Sequence, residues 1–385
     1  MYNFDEVIDR HNTNSLKWDS TDVKIPMWVA DMDFKVVDEI KENIIKRANH
    51  QVYAYSVVDD EYFNSYISWW KRRHDLTLKR DCLLFSTGVM PSISSIIRCL
   101  TNPSDKVLIQ TPVYNVFFDV VVNNNRQLVE NELTYEDSRY YIDFEKLEKQ
   151  LSDEDVKMML LCNPHNPVGK IWYSDEIERI IELCNRYDVI LVSDDIHCDL
   201  VNPDKKYTPV YSVDCSNKDN LIMCMAPSKT FNIAGLQTST VYCENRKLYE
   251  QIEKQLSIDF NSMPNVFAIS ATKAAFNYGD EWLDSLNSYV YENKVIAREF
   301  IEENKLDVDV IDCEATYLLW IDCSRLSIDA YELYEYLKNS YGLYVSPGIK
   351  FGKNGSDFIR VNIACPKSTL LEGLSILNEA ILSLK

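Results

Sequence analysis

The sequence has 385 residues, of which 46% are hydrophobic and 26% are charged, and its formal net charge is −20. These proportions are close to those of folded globular proteins, so the composition excludes a disordered or fibrous chain. The length predicts roughly two or three domains. An acidic surface repels nucleic-acid backbones and anionic membranes, so any anion has to bind at a local site.

Eleven cysteines are spread along the chain without a C-x-x-C pair, so the ligand spacing of a zinc site is absent. Several lie in apolar runs, as Cys162 and Cys224 do, where a free thiol behaves as a small buried side chain. We therefore expect no metal and a reducing, cytoplasmic compartment. The N-terminal residues lack the basic start and apolar core of a signal peptide, and no apolar stretch is long enough to cross a bilayer.

The elements change character along the chain. The first forty or so residues contain one apolar segment, MWVADMDF, and are predicted to pack with the C-terminal part. Between about 80 and 245, short apolar runs alternate with amphipathic stretches such as 90–100 and 175–187; the runs are LLFST, KVLIQTP, KMMLLCNP, VILVSDD and LIMCMAPS. From about 280 the pattern predicts a long helix over 282–303, a strand in TYLLWIDC, a helix over 327–339 and a strand in FIRVNIACP.

Alternation of strand and helix predicts an α/β fold with a mainly parallel sheet between two layers of helices. The change of pattern near residue 280 predicts a smaller α+β domain after it. We therefore expect a large domain over 45–280 and a small domain composed of 1–44 and 281–385.

Three of the nine glycines, Gly88, Gly169 and Gly235, lie close to predicted strand ends, where glycine marks close backbone approach or special dihedral angles. In FSTGVMPSISSIIRCL a strand ends, Gly88 turns the chain, and Pro91 occupies the first helical turn. The free N–H groups of such a helix end bind phosphate without a basic protein surface. A plain strand-to-helix turn remains the alternative.

Polar side chains follow the next two strands. CNPHNPVG exposes Asn163 and Asn166 on an extended, turn-rich path, although asparagine also serves simply to shape turns. VILVSDDIHCDL ends in Asp194 and Asp195, followed by His197. Carboxylates at the carboxyl end of a buried strand lie where α/β enzymes bind their ligands. A helix cap or a surface acid is the alternative interpretation.

Lys229 follows the apolar strand LIMCM in the motif APSKTFNIAGLQTS. An arbitrary lysine is a solvated surface group. This one lies between a buried strand and small, polar or apolar neighbours, where loss of water favours the neutral amine that Schiff-base chemistry requires. Lys229 is therefore the candidate nucleophile.

In their order and spacing these motifs resemble the aminotransferase-type (fold type I) pyridoxal-phosphate (PLP) enzymes along nearly the whole chain. The chain is most similar to the MalY/PatB branch, which are cystathionine β-lyases. The blocks that carry the resemblance are MWVADMDF, VYAYSVVDDEYFNSYISWWKRRH, STGVMPSI, TPVYNVF, CNPHNPVGK, SDDIHCDL, APSKTFNIAG and IRVNIACP.

The resemblance implies roles for the residues around the cofactor. Lys229 would hold PLP as a Schiff base and, once released by substrate, move the Cα proton. Asp194 would face the pyridine nitrogen and keep it protonated. Asn166 would hydrogen-bond the phenolic oxygen of the ring, with His197 near the same oxygen or else serving as a core or cap histidine. Tyr114 would stack on the ring face, although a core tyrosine is the alternative.

The resemblance also implies the anchors for the phosphate and the substrate. The amides of Gly88, Val89 and Met90 and the hydroxyl of Ser228 would bind the phosphate. Tyr55 would reach it from a second subunit, and this role requires a homodimer with active sites at the subunit interface. Arg360, in FIRVNIACP, would clamp the substrate carboxylate in a bidentate pair and would form the substrate site together with Asn166 and Tyr55.

Three positions depart from the expected patterns. Many aminotransferases carry a serine three residues before the lysine and an arginine eight residues after it, where this chain has Ala226 and Gln237. Phosphate binding therefore has to rely on other donors, and an aspartate-aminotransferase interpretation is weakened. The lyase branch more often has Asp-Glu where this chain has Asp194 and Asp195.

The implied reaction is β-elimination from a carbon–sulfur substrate such as L-cystathionine, L-cysteine or a related S-conjugate, which releases a thiol, pyruvate and ammonia. An aminotransferase on the same scaffold is the alternative, because the same residues serve both reactions. A regulatory binding protein is a third hypothesis, since the resembling family includes a member that restrains a transcription activator. The residues mark no surface for such a partner.

Overall fold

Fifteen β-strands and eleven α-helices lie within the residues that this computed structural model describes, which are 2–20, 22–215 and 217–384. The strands are Ile25–Pro26 (β1), Leu83–Ser86 (β2), Lys106–Thr111 (β3), Gln127–Glu132 (β4), Thr134–Glu136 (β5), Arg139–Tyr141 (β6), Val156–Cys162 (β7), Ile190–Asp194 (β8), Leu221–Met225 (β9), Ser239–Tyr242 (β10), Asp309–Val310 (β11), Leu318–Asp322 (β12), Leu343–Tyr344 (β13), Ser346–Pro347 (β14) and Phe358–Asn362 (β15). The helices are Asp38–Asn49 (α1), Asp60–His74 (α2), Val89–Leu100 (α3), Val116–Val122 (α4), Phe144–Leu151 (α5), Ser174–Arg186 (α6), Arg246–Ile258 (α7), Ala268–Tyr278 (α8), Asp280–Glu303 (α9), Ala330–Tyr336 (α10) and Lys367–Leu382 (α11).

A seven-stranded sheet in the order β2-β10-β9-β8-β7-β3-β4 forms the centre of the molecule. Strands β4, β3, β7, β8 and β9 are parallel, whereas β10 is antiparallel to both of its neighbours. Since helices cover both faces, the inner strands are buried throughout, which is why they read as continuous apolar runs. The predicted α/β fold and its five strands are confirmed. The structure adds β4, whose sequence is polar, and β10, which is only four residues long.

Alternate side chains of the sheet supply two separate hydrophobic cores. In β7, Met158 and Leu160 point to the core formed with α3, α4 and α7, while Met159 and Leu161 point to the larger core on the other face. This two-residue period is that of a β-strand. The sheet is therefore held rigidly between two layers, and its strand ends provide fixed positions for polar side chains.

The C-terminal region builds a second sheet in the order β11-β12-β15-β14, in which β14 and β15 contact α10, while α11 packs against α9. The helix predicted over 327–339 is α10, which continues as one π-helical turn over 337–341. Strand β1 pairs in parallel with β13, so the N-terminal segment packs on this smaller part of the molecule. Among the described helices, none is long and apolar enough to span a membrane.

The division into a large and a small domain stays a prediction, and its expected boundary falls inside a helix. Residues 44 and 45 lie inside α1, which spans Asp38–Asn49 and packs against α8 of the large domain. A helix moves as one body, so we place the boundary before α1. The proposed large domain then begins near residue 38 and the small domain contains the residues before it.

The three glycines near the strand ends differ in what they require. Gly169 has φ +69°, and an added Cβ would lie 2.5 Å from the Cβ of Cys313 and 2.8 Å from the carbonyl oxygen of Ala315. At Gly88 the backbone is extended, and a Cβ would approach only the ring of Pro91, at 3.2 Å. At Gly235 a Cβ would meet nothing within 4 Å, so the expectation of close backbone approach is wrong there.

We predict that Gly169→Ala lowers the free energy of unfolding by about 2–4 kcal/mol, because the methyl group forces both a left-handed alanine and a clash with the backbone at Ala315. Urea unfolding followed by circular dichroism measures the loss. Gly235→Ala is the matched control and should stay within about 0.5 kcal/mol of the wild type. Equal stability of the two variants would contradict the packing described here.

Candidate active site

The carboxyl ends of three adjacent parallel strands bring the main candidate residues together. Asn166 follows β7, Asp194 ends β8, and Lys229 follows β9. Because neighbouring parallel strands end at the same edge of a sheet, residues far apart in sequence converge there. This edge is the candidate active site.

Lys229 lies in the site, and its amine forms a hydrogen bond to the backbone. Its Nζ donates a 2.6 Å hydrogen bond to the carbonyl oxygen of Ala30, a residue of the N-terminal segment. Burial lowers the pKa of Lys229 to about 8, and the Arg360 cation acts in the same direction, while the carboxylates of Asp31 and Asp194 oppose it. About a tenth of the amine is therefore neutral at pH 7, far more than for a lysine in water.

Asp194 is buried at the end of β8. Its Oδ1 accepts a 3.2 Å hydrogen bond from the backbone N–H of Ile196. Burial raises the pKa of Asp194 to about 7, against the bond from Ile196 and the charge of Lys229. A carboxylate in this state gains most from a cationic group placed against it, as a protonated pyridine nitrogen would be.

His197 is also buried, and its Nδ1 has no hydrogen-bond partner among the described residues. Burial, reinforced by the charges of Lys229 and Arg360, lowers the pKa of His197 to about 3, so the ring is neutral. The centre of the ring lies 6.1 Å from that of Tyr317. A buried ring nitrogen without a partner is costly, which favours a polar ligand group beside it.

Asp195 turns into the large domain rather than toward Lys229. It accepts hydrogen bonds from the hydroxyls of Ser193, at 2.8 Å, and Tyr207, at 2.5 Å. Burial raises its pKa to about 8. The departure from Asp-Glu therefore falls on a carboxyl that serves the core, and a side chain shorter by one methylene still reaches both hydroxyls.

Arg360, in β15, faces Asn166 across the site. Its Nη1 donates to Oδ1 of Asn166 at 3.1 Å, and its Nη2 donates to the carbonyl oxygen of Trp28 at 2.8 Å. Its Cζ lies 4.7 Å from the centre of the Phe351 ring. Burial lowers the pKa of Arg360 to about 10, so the side chain remains a cation at neutral pH. It is the cation that the small domain presents to the site.

Tyr114 and the start of α3 complete the set. Burial raises the pKa of Tyr114, and both Asp194 and Arg360 act on its hydroxyl. Helix α3 begins at Val89 without a side-chain cap, and the hydroxyl of Ser92 donates to the Gly88 carbonyl at 2.8 Å. The N–H groups of the first helical turn, Met90 included, have no partner within the helix. Ser228, which directly precedes Lys229 in the sequence, is buried.

Two of the singled-out positions lie at the surface. The side chain of Tyr55 is 93% exposed, so it does not line the site of its own chain. Gln237, at the position where many aminotransferases have a phosphate-binding arginine, is exposed and adopts a left-handed backbone with φ 50°. Among the positions predicted to bind the phosphate, the start of α3 and Ser228 therefore remain the candidates within one chain.

The N-terminal segment forms a wall of the site that sequence reasoning missed. Residues 27–34, which we call the strap, place the carbonyls of Trp28 and Ala30 on Arg360 and Lys229. The apolar block MWVADMDF was noted in the sequence. Its residue types do not indicate which backbone carbonyls accept hydrogen bonds, so this wall of the site was not predicted. Tyr317, whose hydroxyl donates to Ala30 at 3.0 Å, was missed for the same reason.

A buried carboxylate supports the loop that carries Lys229. Asp199 accepts hydrogen bonds from Nε1 of Trp69 at 3.1 Å, from Nε2 of His74 at 2.8 Å, and from the hydroxyl of Thr230 at 2.9 Å. Burial alone would raise the pKa of Asp199, but these donors outweigh it and the pKa is lowered. Because Thr230 follows Lys229 directly in the sequence, its hydrogen bond to Asp199 fixes the backbone next to Lys229.

The residues of the site fit PLP. An amine with a lowered pKa, a buried carboxyl that gains from a cation, and an uncapped helix end suit the aldehyde, the pyridine nitrogen and the phosphate. The unpartnered Nδ1 of His197 is the kind of buried polar atom that a ligand satisfies. Lys229, Asp194, Asn166, Tyr114 and the first turn of α3 would hold the group.

Comparisons with known proteins agree with this geometry. The family model described as aminotransferase class I and II matches residues 23–377. Cystathionine beta-lyase PatB of Bacillus subtilis is 36% identical, with 98% of this chain and all of that protein covered, and protein MalY of Escherichia coli is 31% identical, with 99% of each covered. The crystal structure of cystalysin from Treponema denticola, which contains a PLP cofactor, is 35% identical over the full length of both chains with a TM-score of 0.96.

The fold and the Lys229 site define a PLP-dependent enzyme of the aminotransferase-like fold. The chain belongs to the aminotransferase class I and II family. The expected family, fold and cofactor are thus confirmed, and the similarity to the MalY/PatB lyases that the motifs indicated is found over the whole chain.

We predict that Asp199→Ala lowers the free energy of unfolding by about 3–5 kcal/mol, because it leaves three buried donors without their acceptor. Denaturant unfolding at pH 7 measures the loss. Asp284→Ala removes an exposed carboxylate that pairs with Arg73 and is the control, with an expected change within about 1 kcal/mol. A loss at Asp199 no larger than that of the control would show that the buried hub does not support the Lys229 loop.

Proposed function

We propose that the protein is a PLP-dependent carbon–sulfur β-lyase that acts on L-cystathionine, L-cysteine or a related S-conjugate and releases a thiol, pyruvate and ammonia. The observation that carries the proposal is the convergence of Asp194, Arg360 and Lys229, whose amine has a lowered pKa. The relatives of the chain include a cystathionine β-lyase matched over its full length. The proposal names the reaction class, and several sulfur-bearing amino acids fit it.

Arg360 binds the α-carboxylate of the substrate. It stays cationic although buried, and a guanidinium group is suited to pairing with a carboxylate. Its bonds to Asn166 and to the strap carbonyl of Trp28 hold the guanidinium in one orientation. The substrate is thereby fixed by one end, and its Cα–H bond can be directed toward Lys229.

Lys229 moves the proton. When bound, PLP supplies an aldehyde carbon and an electron-withdrawing ring that accepts the electron pair left as the Cα–H bond breaks. The Nζ of Lys229, in its neutral form, takes up the Cα proton, and Asp194 holds a proton at the ring nitrogen through its charge. Elimination would follow where Cβ carries a sulfur substituent, because the Cβ–S bond can then break and the sulfur leaves with the bonding electron pair as a thiolate.

An aminotransferase is the second candidate function. It is favoured by the family model itself, which describes aminotransferases of classes I and II, and the same residues serve it. The two reactions would differ in the fate of the proton that Lys229 takes from Cα, which in transamination Lys229 would deliver to the carbon that PLP supplies. A direct assay separates them.

We predict that the wild-type protein shows a visible absorbance band with PLP and releases pyruvate from L-cystathionine without an added 2-oxo acid. Lys229→Ala should lose the band and about 10³-fold or more of the activity, because the nucleophile and the proton carrier are the same amine. Lys71→Ala, which removes an exposed lysine, is the control and should match the wild type.

The other outcomes decide between the functions. A lysine-dependent band with amino transfer only in the presence of a 2-oxo acid would replace the lyase by the aminotransferase. Absence of a band after addition of PLP would overturn the cofactor assignment and both functions with it.

We further propose that the protein is a homodimer in which Tyr55 of a second copy completes the site. Tyr55 is exposed, and so are the apolar side chains near it in sequence, Val52, Tyr53 and Val57, and those of Ile258, Phe260 and Met263 at the end of α7 and after it. The ring of Tyr53 lies 5.9 Å from that of Phe267, and the N–H of Thr87 donates to the Asn261 carbonyl. The exposed apolar side chains over 258–263 therefore lie close to the turn at Gly88, where the phosphate would bind. Large apolar side chains exposed close together on a single chain favour association with a second copy.

We predict complementation between Tyr55→Ala and Lys229→Ala. In a dimer of one copy of each variant, one of the two sites keeps both residues, so these heterodimers should recover about one half of wild-type activity, above either variant alone. Differently tagged chains, co-expressed and purified through both tags, measure this. Activity no greater than that of the separate variants would show that Tyr55 acts within its own chain or not at all.

The eleven cysteines are all unpaired in the structure, and most are buried. Free thiols in this number support the proposal of a reducing, cytoplasmic compartment.

A further inference from the structure

One backbone oxygen in the site receives two hydrogen bonds. The carbonyl of Ala30 accepts from Nζ of Lys229 at 2.6 Å and from the hydroxyl of Tyr317 at 3.0 Å. A carbonyl oxygen has two lone pairs, so both bonds form at once. The amine of Lys229 and the phenol of Tyr317 are thus neighbours through a shared acceptor.

This oxygen is held in place independently of Lys229. From the small domain, Nδ2 of Asn362 donates to the carbonyls of Val29, at 2.5 Å, and Asp31, at 2.6 Å. From the large domain, Asn232 accepts from the N–H of Met32 and donates to its carbonyl at 2.9 Å. The two amides grip the strap on both sides of Ala30, so the acceptor stays fixed when the amine moves.

Burial and a neighbouring backbone hydrogen bond hold Tyr317 in place beside the Ala30 oxygen. Its side chain is 1% exposed, and the N–H of the preceding Thr316 donates to the Leu200 carbonyl at 2.6 Å. Burial, and then the carboxylate of Asp31, raise the pKa of the phenol, so its hydroxyl stays protonated and donates at every pH at which the protein is folded and active. The hydrogen end of this O–H dipole therefore always points at the Ala30 oxygen.

We propose that Tyr317 is a positioning residue for Lys229, acting through the shared oxygen of Ala30 to hold the amine in place and to disfavour its extra proton. The positive hydrogen of the phenol, held at the same oxygen, repels an ammonium more strongly than a neutral amine. The inference rests on the cofactor assignment but is independent of whether elimination or transamination follows.

Other charges around Lys229 set the background for this effect. Asp31 on the strap and Asp194 after β8 favour the ammonium, Arg360 on β15 opposes it, and His197 is neutral. Tyr317→Phe leaves all of them unchanged and keeps the aromatic ring. Removal of the hydroxyl leaves the ammonium as the sole donor to the Ala30 oxygen, so its protonation becomes more favourable.

The test uses the cofactor-free protein and added PLP as the probe. The neutral amine condenses with the aldehyde with loss of one water molecule, whereas the ammonium has no electron pair to do so; the association rate against pH therefore reports the protonation of Lys229. For Tyr317→Phe we expect the midpoint of the profile to rise by about half a pH unit, which is about a threefold change in the protonation equilibrium.

Tyr211→Phe is the matched control, because this buried hydroxyl also donates to a backbone carbonyl, that of Leu221, within the large domain. Its midpoint should equal that of the wild type. An unchanged or lower midpoint for Tyr317→Phe would overturn the inference. Failure of the wild type to bind PLP at all would instead overturn the cofactor assignment.

A second substitution, which should shift the midpoint of the pH profile in the opposite direction, tests whether the effect is merely structural. Incorporation of 3-fluorotyrosine at position 317 keeps the hydroxyl and makes it a stronger donor, so the midpoint should fall below that of the wild type. A purely structural role for Tyr317 would move both variants in the same direction, and that result would contradict the positioning role.

Discussion

The amine of Lys229 has to lose its proton inside a protein whose net charge is −20, and burial is what makes this possible. In water, acidic surroundings would hold the ammonium more firmly. Behind the ends of β8 and β9 the loss of solvation outweighs the carboxylates of Asp31 and Asp194, and Arg360 adds to it. The packed sheet and its helix layers therefore serve the chemistry directly, because they keep water from the amine.

The strap is the part through which the two domains share the site. Its carbonyls bind Arg360 of the small domain and Lys229 of the large one, and Asn362 and Asn232 hold it from either side. Asn362 lies two residues after Arg360, and Asn232 lies three after Lys229, so each residue that meets the ligand is followed closely by one that secures the strap. A shift of either domain therefore changes the surroundings of both Lys229 and Arg360.

Much of the site was predictable, because strand ends carry a local signal. Asn166, Asp194 and Lys229 each follow an apolar run, and parallel strands place such residues at one edge of a sheet. Residues that act through the backbone, such as Ala30, were not predictable. Neither were Asp199 and Tyr317, because their partners Thr230 and Ala30 lie more than thirty residues away in the sequence.

The sequence by itself determined the alternation of strands and helices, the family and the chemistry-bearing residue types, since these depend on local patterns and motif order. Only the tertiary structure decided that Asp195 serves the core while Asp194 faces Lys229, and that Gly169 but not Gly235 requires glycine. Adjacent aspartates look alike in sequence, and their roles separate only when packing sets which side chain is solvated, paired or opposed by a charge. The shared oxygen of Ala30 is likewise a product of two domains meeting, which no local pattern encodes.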